Sequence, residues 1–285
     1  MQPAADIDAL RAFVHRHARL FVITGAGCST EAGIPDYRDE NGDWKRPQPV
    51  TYQSFMSDEA TRRRYWARSL IGWPVMGGAR PGAAHQALAQ LERQGRIELL
   101  LTQNVDGLHH AAGSRRVIDL HGRIATVRCM HCEARTTRAE LQRELLRRNP
   151  DWAGLQAKTA PDGDADLDGR DFQSFDVPPC TRCGTGLLKP DVVFFGESVP
   201  RARVEAAYAA LARADAVLVA GSSLMVYSGF RFVQAAVQQG LPVAVINRGR
   251  TRADGLLELK LETEVGQALE SCSASGSVWR LPNKC

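Results

Sequence analysis

The chain alternates between short continuous apolar runs and longer stretches in which apolar residues recur every three or four positions. Leu20 to Ile23, Ile97 to Thr102, Val117 to Leu120, Ala216 to Ala220, Pro242 to Ile246 and Leu256 to Leu261 are of the first kind. They are shorter than helices, and they predict strands buried on both faces. The stretches between them are amphipathic. Ile7, Leu10, Phe13 and Val14 share one helical face, as do Ala87, Leu88 and Leu91 in an Ala83 to Gln94 helix that Gly95 stops. Val204, Tyr208 and Leu211 mark an Arg203 to Arg213 helix, Gly229 to Gln239 predicts another, and Gly266 opens a terminal one. Strands alternating with helices predict an α/β fold with a doubly wound parallel sheet.

Two regions interrupt this alternation. Residues 45–84 read as a helical module anchored by Phe55, Tyr65, Trp66 and Trp73, with Trp73-Pro74 and Gly77-Gly78 marking its exit. Lys158 to Asp171 is rich in Asp and Gly and nearly devoid of apolar residues, which predicts a mobile loop. Leu187 to Glu197 is then expected to return the chain to the main sheet. Its Val-Val-Phe-Phe run suits a core strand, and Gly196 with the following turn leaves edge amides for an extended peptide.

A chain of 285 residues with 44% hydrophobic content allows one large domain, or one domain with a smaller insert. A net charge of +4 is only mildly basic; it permits acidic partners without implying nucleic acid. The densest basic run, Arg62 to Arg64 with Tyr65, Trp66 and Arg68 after it, reads as a helix with a solvated face. Met1 to Asp8 holds two acids and no signal-peptide core, and no run reaches membrane-spanning length, so a cytoplasmic enzyme is expected.

The chemistry concentrates at predicted strand ends. After the first strand comes Thr24-Gly-Ala-Gly-Cys-Ser-Thr-Glu-Ala-Gly-Ile-Pro-Asp-Tyr-Arg38, where Gly25 and Gly27 let the backbone approach an anion closely. It is not a dinucleotide fingerprint. Thr30 stands where the third glycine belongs, and the acidic residue about 20 positions on is missing. Taken alone, the turn is also what a plain tight connection needs, with Cys28 either a reactive thiol or a small buried residue. The second strand ends in Gln103-Asn104-Val105-Asp106-Gly107-Leu108-His109, and the third in His121, a general-base candidate near neutrality or a structural histidine. His109, His110 and His131 are read as structural. Gly221-Ser222-Ser223 is a second phosphate-sized turn, and the Asn247 amide is placed to bond a ribose hydroxyl. Cys129, Cys132, Cys180 and Cys183 form two CxxC pairs; four thiolates close a tetrahedron, leave no position for water and predict structural zinc. Cys272 and Cys285 stand apart.

In order along the chain, the stretches 25–38, 102–109, 120–122, both CxxC pairs, Lys189 to Glu197, 221–223 and 246–247 resemble the sirtuins, the silent-information-regulator family of NAD-dependent protein deacylases. Arg64 to Arg68, Gly72-Trp73-Pro74 and Tyr37 resemble its class II branch. The resemblance implies a Rossmann-like NAD-binding domain (1–44, 85–122 and 188–285) and a small domain made of a helical module (45–84) and a zinc-binding module (123–187).

It also implies a site. The pyrophosphate of NAD would meet the amides of Gly25, Ala26 and Gly27 and the hydroxyls of Ser222 and Ser223. Asn247, with Arg248 and Gly249 beside it, would hold the adenosine ribose, and Val265 would close over the adenine. Glu31 belongs to the same nucleotide set, and Asp36, Tyr37 and Arg38 would form a lid. Gln103 and Asn104 would position the nicotinamide ribose; Asp106 with Ile34, next to Val105, would hold the carboxamide. His121 would act as general base and Asn104 beside it in catalysis. Val193, Phe195 and Gly196 would receive the acylated lysine of a protein substrate. No direct nucleic-acid or membrane partner is implied, and a monomer is expected. A mono-ADP-ribosyltransferase using the same NAD site, a non-catalytic NAD-sensing module and a hydride-transferring dehydrogenase are the alternatives.

Overall fold

Helix α1 (Pro3–Arg16) leads into strand β1 (Leu20–Thr24), whose five side chains are all buried and alternate between two cores. This is seen in a computed structural model that describes residues 3–45, 49–155, 167 and 169–273. Of the Lys158 to Asp171 segment, residues 158–166 and 168 lie outside the described residues, as does Cys285. After β1 come α2 (Tyr52–Ser57), α3 (Glu59–Gly78), α4 (Ala83–Arg93), β2 (Ile97–Thr102), the single-turn α5 (Leu108–Ala111) and β3 (Val117–Asp119). The chain continues through β4 (Gly122–Cys129), β5 (Arg135–Thr137), α6 (Arg138–Arg148) and β6 (Leu188–Val192). It ends with α7 (Arg201–Leu211), β7 (Ala216–Ala220), α8 (Tyr227–Gln238), β8 (Val243–Ile246), β9 (Leu259–Leu261) and α9 (Val265–Ser273).

Six strands form one parallel sheet in the order β3-β2-β1-β7-β8-β9. Leu20 and Val22 pack with Leu10, Phe13, Leu88 and Leu269 on one face, while Phe21 and Ile23 pack with Leu211, Phe232 and Val233 on the other. Helices thus cover both faces, as the continuous apolar runs required. Strand order reverses between β1 and β7. Thr24 is in register with both Thr102 and Ala220, and Asp119 with Thr102, so these strands end at one level. Loops leaving them diverge there and open the crevice where such sheets bind ligands.

The second unit is a three-stranded antiparallel sheet, β5-β4-β6, packed with α2, α3 and α6 around Phe55, Tyr65, Trp66 and Leu145. The buried Trp66 donates its Nε1–H to the Leu188 carbonyl at 3.2 Å.

Four expectations change. Leu187 to Glu197 does not rejoin the main sheet; β6 pairs with β4 at the edge of the small sheet. Pro190 has no N–H for a central ladder, so its apolar neighbours suit an edge. Trp73-Pro74 does not end its helix, because α3 runs on to Gly78. Proline there deprives the Leu70 carbonyl of its helical donor, and Gln142 Nε2 from α6 supplies one at 2.8 Å. The last strand is shorter than Leu256 to Leu261, since a 3-10 turn occupies Asp254–Leu256. Tyr208, expected on the buried face of α7, is 37% exposed; Leu211 is buried as expected, and Ala207 and Ala210 are buried beside it.

Candidate active site

Two glycine turns meet at the strand reversal. A Cβ on Gly25 would fall 2.7 Å from Ser222 Cβ, and Gly221 adopts a left-handed φ of +62°. The Gly25 and Gly27 N–H groups donate to the carbonyls of Ala220 (3.2 Å) and Gly221 (2.9 Å). This corrects their expected role as anion donors: both amides are committed to the neighbouring turn, and Ala26 alone of the three stays out of this pairing. Close packing of the two turns is what the glycines serve.

A cavity of about 480 Å³ opens beyond them. Gly25, Ala26, Gly27, Gly221, Ser222 and Ser223 line one side; Gln103, Asn104, Val105, Asp106 and His121 line the next; Asn247 and Arg248 close the end. Ile34, Asp36, Tyr37 and Arg38 come from the loop after β1, and Val193, Phe195 and Gly196 from the turn after β6. Three expected residues do not line it. The Glu31 carboxylate lies against the first turn of α9, occupying the space a Cβ on Gly266 would need, which places a negative charge at a positive helix end. Val265 is buried in the core. Gly249 abuts the Glu40 backbone, where a Cβ would come within 2.2 Å of the carbonyl oxygen, and Arg250 N–H donates to that oxygen at 2.7 Å. Gly249 therefore seats the loop that carries Glu40.

The inner end of the cavity joins an apolar wall to a polar cluster. Ile34, Met76, Val105, Ile124 and Val192 form the wall. Asn104 Nδ2 donates to Gly25 O (3.0 Å) and Ser29 Oγ (2.9 Å), and Ser29 donates to Asp106 Oδ2 at 2.7 Å. Asp106 Oδ1 accepts the Leu108 N–H at 2.8 Å. His85 accepts the Gly82 N–H at Nδ1 (3.2 Å), so the proton on its Nε2 faces Ser29 Oγ at 3.4 Å. Ser29 and His85 were not foreseen as part of this cluster, although Ser29 stands inside the glycine motif. His109 is structural, as expected: it is buried against Thr24 Oγ1 at 2.9 Å, and burial, with the His85 and His110 charges, pushes it down to about 3. Cys28 is a small core residue, buried with Leu20 and Val22 and donating its thiol to the Ala220 carbonyl at 3.2 Å, and burial pushes that thiol up.

His121 follows β3. Its Nδ1 lies 2.9 Å from the Gln103 carbonyl, which only accepts, so Nδ1 carries the proton and Nε2 presents a lone pair. Burial pushes this imidazole down to about 4 against the opposing Gln103 bond, and the charges of Arg231 and Arg203 lower it further. The ring is a neutral base at pH 7. Gln103 is itself fixed, with Nε2 donating to Ser222 Oγ at 2.8 Å, and it fits only because Gly229 lacks a Cβ, which would fall 2.6 Å from Oε1.

The loop from Asp36 to Lys45 forms a small hairpin across the cavity mouth. Arg38 and Trp44 pair as an antiparallel bridge, the Arg38 guanidinium lies 3.9 Å from the Trp44 ring centre, and Lys45 Nζ bonds Asp36 at 2.6 Å. Trp44 meets the Phe195 ring edge-on at 5.5 Å. Much of the edge expected for a peptide is already paired. Val193 N–H donates to His121 O (2.8 Å), Phe194 N–H to Glu197 Oε2 (2.9 Å), and Phe195 O accepts from Tyr52 N–H (2.8 Å).

Apart from this cavity, the Sγ atoms of Cys129, Cys132, Cys180 and Cys183 lie within 4.8 Å of one another. Cys129 and Cys183 are 3.7 Å apart, and Cys132 and Cys180 3.8 Å. A tetrahedron with Zn–S bonds of about 2.3 Å has edges of about 3.8 Å, so the four sulfurs fit zinc. Gly186 makes room, since its Cβ would fall 2.2 Å from Cys129 Sγ, and its N–H donates to Cys183 Sγ at 3.3 Å.

Comparison with known proteins agrees with this geometry. A sequence model of the Sir2 family matches residues 25–228. An NAD-dependent protein deacetylase of Xanthomonas axonopodis pv. citri is 66% identical over 94% of this chain and 91% of its own. NAD-dependent protein deacetylase 2 of Bradyrhizobium diazoefficiens is 64% identical over 92% and 96%. A solved Sir2 complex with a p53 peptide and NAD+ superposes with a TM-score of 0.70 at 29% identity, covering 95% of each chain. A Sir2 variant with deacetylated p53 peptide and 3′-O-acetyl ADP ribose gives 0.75 at 30% identity, over 93% of this chain and 96% of that one. A crevice at the strand reversal, a neutral strand-end imidazole and four convergent thiols thus occur in a chain that belongs to the Sir2 family.

Proposed function

We infer that this protein is an NAD-dependent protein-lysine deacetylase, which uses NAD as co-substrate and returns free lysine, nicotinamide and 2′-O-acyl-ADP-ribose. The observation that carries the reading is His121, which lines a crevice beside two glycine turns with its ring proton held at Nδ1 and its Nε2 unprotonated.

The acyl-lysine oxygen is a weak nucleophile, so it needs an activated electrophile. Ribose C1′ becomes one as nicotinamide leaves. The Ile34, Val105 and Ile124 wall suits the flat nicotinamide ring, and Asp106 and Asn104, held by Ser29, are placed to take its carboxamide and ribose. Ala26, Ser222 and Ser223 would face the pyrophosphate, and Asn247 and Arg248 the adenosine ribose. Once the acyl oxygen has been captured at C1′, His121 removes a ribose hydroxyl proton, so that the 2′-oxygen attacks the captured acyl carbon. Water completes turnover. The acyl-lysine would enter past Phe195 and Val193, beneath Trp44.

Zinc held by Cys129, Cys132, Cys180 and Cys183 would tie β4 to the segment before β6 and take no part in the reaction. The division into a nucleotide domain and a two-module small domain belongs to the same reading, as do the class II placement, a monomeric state, a cytoplasmic location and the lack of direct nucleic-acid partners. Among the described residues no helix is long and apolar enough to cross a membrane.

The test is incubation with an acetyl-lysine peptide and labelled NAD. Label leaving as acyl-ADP-ribose is expected; label retained on protein would instead mark a mono-ADP-ribosyltransferase.

A further inference from the structure

Ser228 makes a contact that the reaction as derived above does not use. It stands in the first turn of α8, lines the cavity beside His121, and places its Oγ 2.7 Å from His121 Nε2. Gln103 O requires the ring proton at Nδ1, so the bond at Nε2 has one polarity: the serine hydroxyl donates and the imidazole accepts. The lone pair that would take a proton from ribose is therefore already engaged. Around it are the Arg203 side chain, whose Nη1 lies 3.5 Å from Leu120 O, and Arg231, whose Nε donates to Ser228 O at 3.1 Å. Both cations and the positive end of α8 oppose an imidazolium at this position.

We propose that Ser228 is a positioning residue for the base step, acting through His121. Its hydroxyl holds the Nε2 lone pair while the ring is neutral, yields it to the ribose hydroxyl by rotating about Cβ–Oγ, and accepts from Nε2–H after proton transfer. The proton balance is simple. The ribose O–H bond breaks, an N–H bond forms at Nε2, and the serine keeps its own proton by rotating about Cβ–Oγ. One hydroxyl thus serves both ring states, which an aliphatic side chain cannot do. The proposal rests on the deacetylase reading only for the identity of the proton donor.

The experiment compares wild type, Ser228→Ala and Ser228→Thr. In the alanine variant kcat for deacetylation falls about fivefold to tenfold, the worth of one hydrogen bond. Both KM values and nicotinamide exchange into NAD, which precedes the base step, stay at wild-type levels. Threonine keeps the hydroxyl and restores kcat. Independently of NAD, the ¹⁵N resonance of His121 Nε2 moves between wild type and the alanine variant, because a hydrogen bond to that nitrogen has gone. An alanine variant as fast as wild type, a proportional loss of exchange, a threonine variant as slow as alanine, or an unmoved Nε2 resonance overturns the proposal. Failure of the deacetylase reading looks different: wild type itself would release no nicotinamide.

Discussion

Gly27 and Gly221 lie back to back: the Gly27 N–H donates to the Gly221 carbonyl at 2.9 Å, and a Cβ on Gly27 would sit 2.9 Å from Gly221 Cα. Backbone on both sides has nowhere to go. Gly27→Ala should therefore cost about 1 to 3 kcal/mol and lower NAD affinity together. Gly33→Ala is the contrast, since nothing lies within 4 Å there and only its φ of +82° is strained. Thermal unfolding with NAD titration calorimetry reads both, and a Gly27→Ala protein with normal NAD affinity would contradict the packing argument.

His121→Ala should retain fold, zinc and nicotinamide exchange while deacetylation falls at least about 100-fold. Turnover near wild type would remove the imidazole from the mechanism.

The buried histidines make stability depend on pH. His109 is held at about 3, below the ordinary 6.5. Unfolded chains therefore bind the extra proton as pH drops through 6.5, and native chains do not until about 3. The stabilisation is full above 6.5 and lost on acidification, by about 2 kcal/mol for His109 between pH 7 and pH 5. His121, at about 4, acts in the same direction. Urea unfolding at the two pH values, with NMR titration of the rings, checks this; a His109 midpoint near 6.5 would refute it.

Lys189 is 3% exposed and bonds Glu197 Oε2 at 2.9 Å, the same oxygen that accepts the Phe194 N–H. Lys189→Met strands a largely buried carboxylate and should cost about 3 kcal/mol. The double variant Lys189→Met with Glu197→Gln should recover most of this, because glutamine still accepts from Phe194. Denaturant midpoints of the singles and the double decide it, and strictly additive losses would show that the pair is not coupled.

Cys129→Ser should lower zinc content and melting temperature together, because metal binding to these four thiols is part of the folding free energy. Metal analysis beside calorimetry tests it, and a variant that folds with full stability and no metal would sink the structural role.

How legible this protein was depended on the range of the interaction. Short apolar runs located all six parallel strands: β1, β7 and β8 are buried on both faces and wholly apolar but for Thr24, and β2, β3 and β9 each carry a single charged residue within an otherwise short, mostly apolar run. The CxxC pairs and the strand-end residues Gln103, Asn104, Asp106 and His121 were legible because their spacing or position within a run already carries their chemistry. Glu31, Val265 and Gly249 do not line the cavity for the opposite reason: a place beside a glycine turn or strand end does not say which groups face the crevice.

The sequence by itself determined the layered α/β architecture, the cysteine set and the loops that bear the site, because periodicity and local spacing act over a few residues. Only the tertiary structure decided that β6 pairs with β4, that Gln142 completes a helix interrupted by Pro74, that the Gly25 and Gly27 amides bond the carbonyls of the neighbouring turn, and that Ser228 meets His121 across 107 positions. Each of these is a hydrogen bond whose two partners are far apart in the chain. Which donor reaches which acceptor is set when the two layers and the small sheet pack together, and no local pattern encodes it.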